Sequence, residues 1–386
     1  MRATLVSTLL PEQCGIASYS SALAHALHEV DTTVEVSLIA APGFAAQERD
    51  WACVARALEA HDSDVVHFQH EFGIFGMGEQ FLELLEGLRA RGRPIVVTLH
   101  TVHTNLSVDF GCTWPDAGSR PLAARDIERY QRRIVELADF AVVHHAAIAQ
   151  VILRHGAPAA RLRVIPHGTP VLPRQSPAAA KTALGLDPDC RILLAPGYFR
   201  RSKNILRLIE AFADVARRVP QAQLWIGGHA REQTPELRRY RRDCEQAAAR
   251  LGLDGSVRWL PDPIDSASMP TLFQAADVIC CAYEEDTWSA SGILHMALGA
   301  GAPVVASRIP KFSELSGGCD DLLVRPSDPS ELADVLIRLL VDDSFRVVSA
   351  ARLSQLAEQS AWPRVAALHI DAYRRALRPA LAHAGV

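Results

Sequence analysis

Short apolar runs alternate with stretches of helical periodicity along the whole chain. In the first half, the runs at 3–10, 34–40, 64–69, 94–100, 140–144 and 162–166 read as strands. Between the first two, Ile16, Tyr19, Leu23, Leu27 and Val30 recur at three- and four-residue spacing and predict a helix over 16–30. A helix over 78–91 places Phe81, Leu84, Leu85 and Leu88 on one face. Such β and α units, with strands apolar almost throughout, predict a parallel sheet covered on both faces. From Pro166 to Pro177 the periodicity fades, and prolines crowd a segment that reads as a linker. The pattern then restarts, with strands at 191–196, 223–226, 257–260, 278–282 and 303–306. Helices are expected at 204–217, 234–251, 291–299 and 329–341. The expected architecture is α/β with two Rossmann-like domains, 1–170 and 171–361.

Composition narrows the class of protein. The 386 residues are 49% hydrophobic and 22% charged, enough apolar material for two cores. A net charge of -4 gives no electrostatic case for nucleic acid as a partner. The eight cysteines form no C-x-x-C pair, which argues against zinc and dithiol chemistry and fits reduced thiols. Met1-Arg2 leads straight into a short apolar run ended by Pro11, unlike a signal peptide, and no continuous apolar run reaches the roughly 20 residues a membrane span needs. A cytoplasmic location is expected, with peripheral membrane contact and oligomeric state left open. Only three lysines occur, Lys181, Lys203 and Lys311, so the place of each carries information.

In open α/β sheets, ligands bind beyond the carboxyl ends of the strands. Polar residues and glycines gather there in both halves: Cys14-Gly15-Ile16, His70-Glu71, His100 with His103, Gly197 to Lys203, Gly227-Gly228, and Tyr283-Glu284-Glu285-Asp286. Ser289, Ser291 and Gly292 open the next helix. Two such edges predict one cleft with a ligand bridging both domains. Arg200, Arg201 and Lys203 precede a helix N-terminus, where fixed cations and free amides suit a diphosphate. The Ser291-Gly292 start would let phosphate oxygens approach a second set of amides. Gly15 reads either as a tight turn or as close backbone approach to a ligand. His100, at a strand end, is a candidate functional group, with His70, Glu71 and His103 as candidate sugar or acceptor contacts. His144-His145 are expected to carry no chemistry.

These segments resemble the retaining GT-B glycosyltransferases of family four, particularly a bacterial subgroup. The matching residues are Cys14-Gly15-Ile16-Ala17-Ser18-Tyr19, Gln69 to Gly76, Ile165-Pro166-His167-Gly168, the 197–203 loop, Ser291 to Leu294 and Gly301-Ala302-Pro303-Val304. The likeness extends to Trp362-Pro363, and implies a final helix, 362–380, packing back on the first domain. It implies that Gly15 approaches the donor diphosphate and that His100 contacts the transferred sugar. It also implies that Lys203 and an arginine neutralise the leaving nucleoside diphosphate. That arginine is Arg200, with Arg201 as the nearby alternative. Gly197, Gly228, Tyr283, Glu285, Ser289, Ser291 and Gly292 complete the expected donor site. The wider family carries two glutamates where this chain has Trp288 and Met296, a departure that leaves Glu284 or Glu285 to supply one lost contact.

The implied reaction is hexosyl transfer, with retention, from a UDP- or GDP-linked sugar to a glycan, glycolipid or small-molecule hydroxyl. Alternatives are a nucleotide-sugar epimerase or phosphorylase of the same fold, or a non-catalytic nucleotide-sugar-binding subunit. The turn after the first strand lacks the Gly-x-Gly-x-x-Gly of a dinucleotide dehydrogenase. No cofactor or metal is expected: Asp187-Pro188-Asp189, an Asp-x-Asp pair, lies at the amino end of a strand and reads as a turn.

Overall fold

The structure, a computed structural model, describes residues 1–10, 14–41, 51–104, 124–227, 234–260, 268–285 and 287–383. In the first half, the strands are β1 (Arg2–Ser7), β2 (Glu35–Ala40), β3 (Val65–His70), β4 (Ile95–Leu99), β5 (Thr101–Val102), β6 (Phe140–Val143) and β7 (Leu162–Val164). In the second they are β8 (Arg191–Ala195), β9 (Ala222–Ile226), β10 (Val257–Trp259), β11 (Val278–Cys281), β12 (Trp288–Ser289), β13 (Val304–Ser307) and β14 (Leu323–Val324). The chain forms two Rossmann-like units. The first comprises Met1–Gly168, Thr287–Ala290 and Trp362–Val386, and the second Thr169–Asp286 and Ser291–Ala361.

The first unit is built on a six-stranded sheet in the order β2-β1-β3-β4-β6-β7, every pairing parallel. Alternate residues of its strands enter opposite cores, as the two-residue period requires. Val6, Val66, Phe68, Val97 and Leu99 face one core, while Leu5, Val65, Val96 and Val142 face the other. The helix Gly15–Val30 buries Tyr19, Leu23, Ala26 and Leu27, one stripe at helical spacing, on that second face, while Ala17 near its start joins the first core. The long helix Trp362–His383 packs beside it, contributing Val365, Ala366, Ile370 and Tyr373. The first strand stops at Ser7, short of the run read from sequence, and Leu10 is already 58% exposed.

The second unit has the order β10-β9-β8-β11-β13-β14, again wholly parallel. Its sheet sits inside one core that includes Ile192, Leu194, Leu224, Ile279 and Val305. Helix starts carry ordinary capping chemistry: Ser176, Thr234, Ser291 and Asp328 each accept a backbone N–H of the first turn. At the amino end of this sheet, the Asp277 carboxylate receives the buried Lys181 ammonium at 2.7 Å, the Ile192 amide at 2.8 Å and an Arg191 guanidinium N–H at 3.2 Å. Lys181 therefore ties the helix Pro177–Ala183 to the sheet. The Asp187-Pro188-Asp189 segment is a local turn in which Asp187 Oδ1 accepts the Asp189 amide at 2.9 Å.

Two features were not visible as periodicity. Trp288 and Ser289 leave the second half of the sequence to pair antiparallel with Val102 and Thr101, so β12 belongs to the first unit. Besides this excursion at Thr287–Ala290, the chain passes between units at Gly168 and again at Ala361. Within the first unit, Gly168 lies flat against the Trp362 indole, and any Cβ there would overlap the ring. Within the second, the Thr169 amide donates to the Ser360 carbonyl at 2.7 Å, and the Thr169 hydroxyl meets both Ser360 Oγ and His295 Nδ1 at 2.7 Å.

Candidate functional site

In the second unit, the strand order reverses direction between β8 and β11, and the crevice beyond their carboxyl ends is where a doubly wound sheet takes its ligand. The loop after β8 bends at Gly197, whose φ of +117° disfavours a side chain. It continues through a 3-10 turn, Arg201–Lys203, into the helix Ile205–Arg218. This brings the half-buried Lys203 ammonium over the Tyr283 ring after β11, 3.4 Å from the ring centre. A backbone bond from the Glu284 amide to the Ser202 carbonyl, 2.8 Å, locks the two loops together. Among the described residues, no carboxylate lies within salt-bridge distance of Lys203. Burial, reinforced by Arg200, brings its pKa down to about 7. A desolvated cation of this kind is set to gain from an arriving anion.

The neighbouring candidates divide. Arg200 is exposed, and no described carboxylate pairs with it. Arg201 is engaged, 3.0 Å from Glu236 and stacked over Tyr240, so the structure favours Arg200 as the available guanidinium. Glu284 is exposed, whereas Glu285 pairs with Lys311 at 3.0 Å. Ser291 is the N-cap of the helix Gly292–Ala300, its hydroxyl accepting the Leu294 amide at 3.3 Å, and Gly292 is exposed at that helix start. Gly228 lies outside the described residues. Ser289 requires a correction: it does not open the helix but lies buried in β12, paired with Thr101, and is grouped with the first unit. Trp288 packs against the first unit's core and Met296 against the second's, so both stand in apolar packing where the wider family would have glutamates.

In the first unit, a buried polar network underlies the carboxyl ends of β3, β4 and β6. His144 Nδ1 faces the Ile165 carbonyl at 3.2 Å, and its Nε2 faces His100 Nδ1 at 3.2 Å. A carbonyl only accepts, so His144 carries its proton on Nδ1 and its Nε2 accepts from His100 Nδ1–H. His100 Nε2 is then a lone pair, 2.9 Å from the Gln69 side-chain amide, and both rings stay neutral when that amide turns its NH2 toward it. Burial, with His144 and His67 adding to it, holds His100 well below the usual histidine range. His67 bridges Tyr373 and Thr98, each at 2.7 Å, and burial keeps it neutral too. Tyr19, from the helix after β1, lays its ring edge on His100 at 4.7 Å. The His100 side chain is 6% exposed and both ring nitrogens are used within the unit.

His70 and Glu71 do not form a pair. The Glu71 carboxylate accepts the Thr101 hydroxyl at 2.6 Å. His70 is fully buried among Phe72, Phe75 and Phe81 with neither ring nitrogen hydrogen-bonded, and burial lowers its pKa to about 3. The expectation that His70 touches an acceptor is corrected on that ground: the ring has no exposed surface in this structure. His103 is also buried, its backbone amide and carbonyl both bonded to the Gln131 side chain. Gly15 begins its helix exposed; its φ is not positive and a Cβ there would meet nothing within 4 Å. The turn itself therefore does not demand glycine.

Gln69, His144 and Lys311 were not singled out as site residues from sequence. Gln69 stands inside a matching segment, and Lys311 is conspicuous as one of three lysines, but nothing in their spacing ties them to His100 or Glu285. Among the described residues, no group of three His, Cys, Asp or Glu side chains is arranged to hold a metal ion, and no helix is long and apolar enough to cross a membrane.

Two family models match in succession. Glycosyltransferase Family 4 covers residues 15–171 and Glycosyl transferases group 1 covers 190–342, most of the chain between them. The chain is 28% identical over 307 residues to a D-inositol 3-phosphate glycosyltransferase of Nocardioides sp., a match covering 75% of this chain and 64% of that protein. It is 28% identical over 284 residues to the protein of the same name from Corynebacterium jeikeium, covering 70% and 65%. The chain thus spans about two thirds of the length of these curated relatives. Among solved structures, sucrose-phosphate synthase from Thermosynechococcus elongatus superposes with a TM-score of 0.75 at 19% identity, covering 97% of this chain and 98% of that one. Anabaena HepE in complex with UDP superposes at 0.69 and 17% identity, covering 96% and 99%. The two parallel sheets, the matching models and these folds agree: the chain belongs to glycosyltransferase family 4 and has the GT-B fold.

Proposed function

We propose that the protein transfers a hexose from a UDP- or GDP-linked donor to a hydroxyl acceptor with retention of anomeric configuration. The observation that carries this reading is Lys203, a desolvated cation without a described carboxylate partner at the switch point of the second unit's sheet. Lys203 and Arg200 bind the diphosphate, and the helix start at Gly292 offers further amides. When the bond between the anomeric carbon and phosphate oxygen breaks, negative charge collects on the departing diphosphate, where these groups stabilise it. The acceptor oxygen bonds to the anomeric carbon from the same face, and its proton passes to the departing phosphate oxygen. Gly15 approaches the diphosphate, and His100 contacts the transferred sugar. With two cations placed for the leaving group, turnover needs no divalent metal. Support comes from the relatives' names, all glycosyltransferases, and from HepE, whose structures hold UDP, UDP and glucose, or UDP-glucose.

The replacement of the family's two glutamates by Trp288 and Met296 favours a second reading, a nucleotide-sugar-binding subunit without catalysis. One experiment separates the two. Release of nucleoside diphosphate is followed with a panel of nucleotide sugars, with and without hydroxyl acceptors, in excess EDTA. The proposal expects acceptor-dependent release that survives chelation, and a product of unchanged anomeric configuration by NMR. Binding without release would establish the second reading. Loss of activity on chelation, restored by manganese or magnesium, would refute the metal-free mechanism.

A further inference from the structure

Two of the three lysines converge in the second unit. Lys203 follows β8 and Lys311 lies in the 3-10 turn Pro310–Leu315 after β13; burial pushes up the thiol of Cys281, the last residue of β11, and both ammonium groups oppose that shift. Their states differ. Lys203 has no carboxylate partner among the described residues, whereas Lys311 Nζ lies 3.0 Å from Glu285 Oε1, the two side chains being only 16% and 18% exposed. The third lysine, Lys181, is accounted for by Asp277 at the opposite, amino end of the sheet.

A largely buried ion pair adds little net stability, because desolvating both charges offsets their attraction. Placed beyond the carboxyl ends of β11 and β13, one strand from the switch point, this pair calls for a role in binding. An ammonium already balanced by a carboxylate is poorly placed to neutralise another anion. Side by side, however, the two offer a donor and an acceptor, which is what adjacent sugar hydroxyls match. The unpaired Lys203 is left for phosphate.

We propose that Lys311 and Glu285 together set the donor-sugar specificity of the enzyme, accepting an uncharged hexose and rejecting one that carries a carboxylate. The inference rests on the reading of Lys203 as the diphosphate cation. A glycuronate would be repelled by Glu285 and could reach Lys311 only by breaking the pair; an uncharged hexose hydrogen-bonds to both with the pair intact.

The test is calorimetric titration of the whole chain with UDP, UDP-glucose and UDP-glucuronate, or with GDP, GDP-mannose and GDP-mannuronate if it binds the guanine series. The variants are Glu285→Gln, Lys311→Met and Lys203→Ala. The wild type should bind the neutral sugar nucleotide at least tenfold more tightly than the glycuronate. Glu285→Gln removes the carboxylate 3.0 Å from Lys311 and should narrow that ratio at least tenfold while changing nucleoside diphosphate affinity less than twofold. Lys311→Met should weaken the neutral sugar nucleotide relative to the free diphosphate. If Lys203→Ala weakens diphosphate binding but the ratio in Glu285→Gln is unchanged, the specificity role is overturned and the Lys203 reading stands, a lowered Tm in that variant then marking the pair as structural. If Lys203→Ala binds the diphosphate as the wild type does, the donor-site reading falls and this inference with it.

Discussion

Acid should unfold the first unit well above the pH at which carboxylates protonate. Four of its histidines, His67, His70, His100 and His369, are held neutral by burial, His70 and His369 at about 3 and the others well below the ordinary 6.5. Unfolding restores each to its ordinary value, so above pH 6.5 folded and unfolded chains bind the same protons at these sites. As the pH falls below 6.5, the unfolded chain takes up protons that the folded unit refuses, and stability is lost. One pH unit below that value, His70 and His369 each cost about 1.4 kcal/mol, about 3 kcal/mol together, and His67 and His100 add to the loss in the same direction, against a total stability of only about 5–15 kcal/mol for a domain. Calorimetric or denaturant unfolding at pH 7.5, 6.5 and 5.5 measures the loss. His70→Phe sharpens the test: the ring nitrogens have no hydrogen bond to lose, and the site is already lined by Phe72, Phe75 and Phe81. The variant should recover about 1.4 kcal/mol at pH 5.5 relative to its own behaviour at pH 7.5. Stability that stays level from pH 7.5 to 5.5, or a pH slope unchanged in His70→Phe, would refute the reasoning.

Three further outcomes are expected. Asp277→Ala should destabilise the second unit by about 3 kcal/mol in denaturant unfolding, because it strands the buried Lys181 charge and the Ile192 amide, and adding Lys181→Met should recover part of the loss; full stability of the single variant would contradict this. Gly168→Ala should cost about 1–3 kcal/mol by driving a methyl into the Trp362 ring, and an unchanged Tm would show that the indole moves freely aside. His100→Ala should reduce turnover more than nucleoside diphosphate affinity, since His100 belongs to the first unit and the diphosphate cations to the second; equal losses would reverse that placement.

Strands such as Phe140–Val143 and Val278–Cys281 were legible because burial on both faces writes itself as an unbroken apolar run. The Lys203 loop stood out for a different reason: cations and a glycine mark a local segment, which the structure places between β8 and the following helix. What stayed hidden depends on neighbours distant in sequence. Gln69, His100 and His144 sit at the ends of three adjacent strands, and nothing in any one segment shows that they touch. Glu285 and Lys311 meet only because β11 lies beside β13. Ser289 was assigned to a helix entrance by proximity in sequence, yet its backbone is taken by Thr101. His70 has the chemistry of a catalyst, but strand alternation turns it into aromatic packing while Glu71 faces Thr101.

The central claim, that Lys203 is the cation that receives the donor's diphosphate, is tested most directly by nucleoside diphosphate affinity as a function of pH. With a pKa of about 7 in the free protein, Lys203 is charged below that pH and loses its proton above it. A bound diphosphate favours the charged form, so affinity should hold near pH 6.5 and decline toward pH 9 with the slope of one proton. Lys203→Arg, which stays charged, should abolish the slope, and Lys203→Ala should both flatten it and weaken binding at least tenfold at pH 6.5. Wild-type affinity in Lys203→Ala, for UDP and GDP alike, would contradict the account.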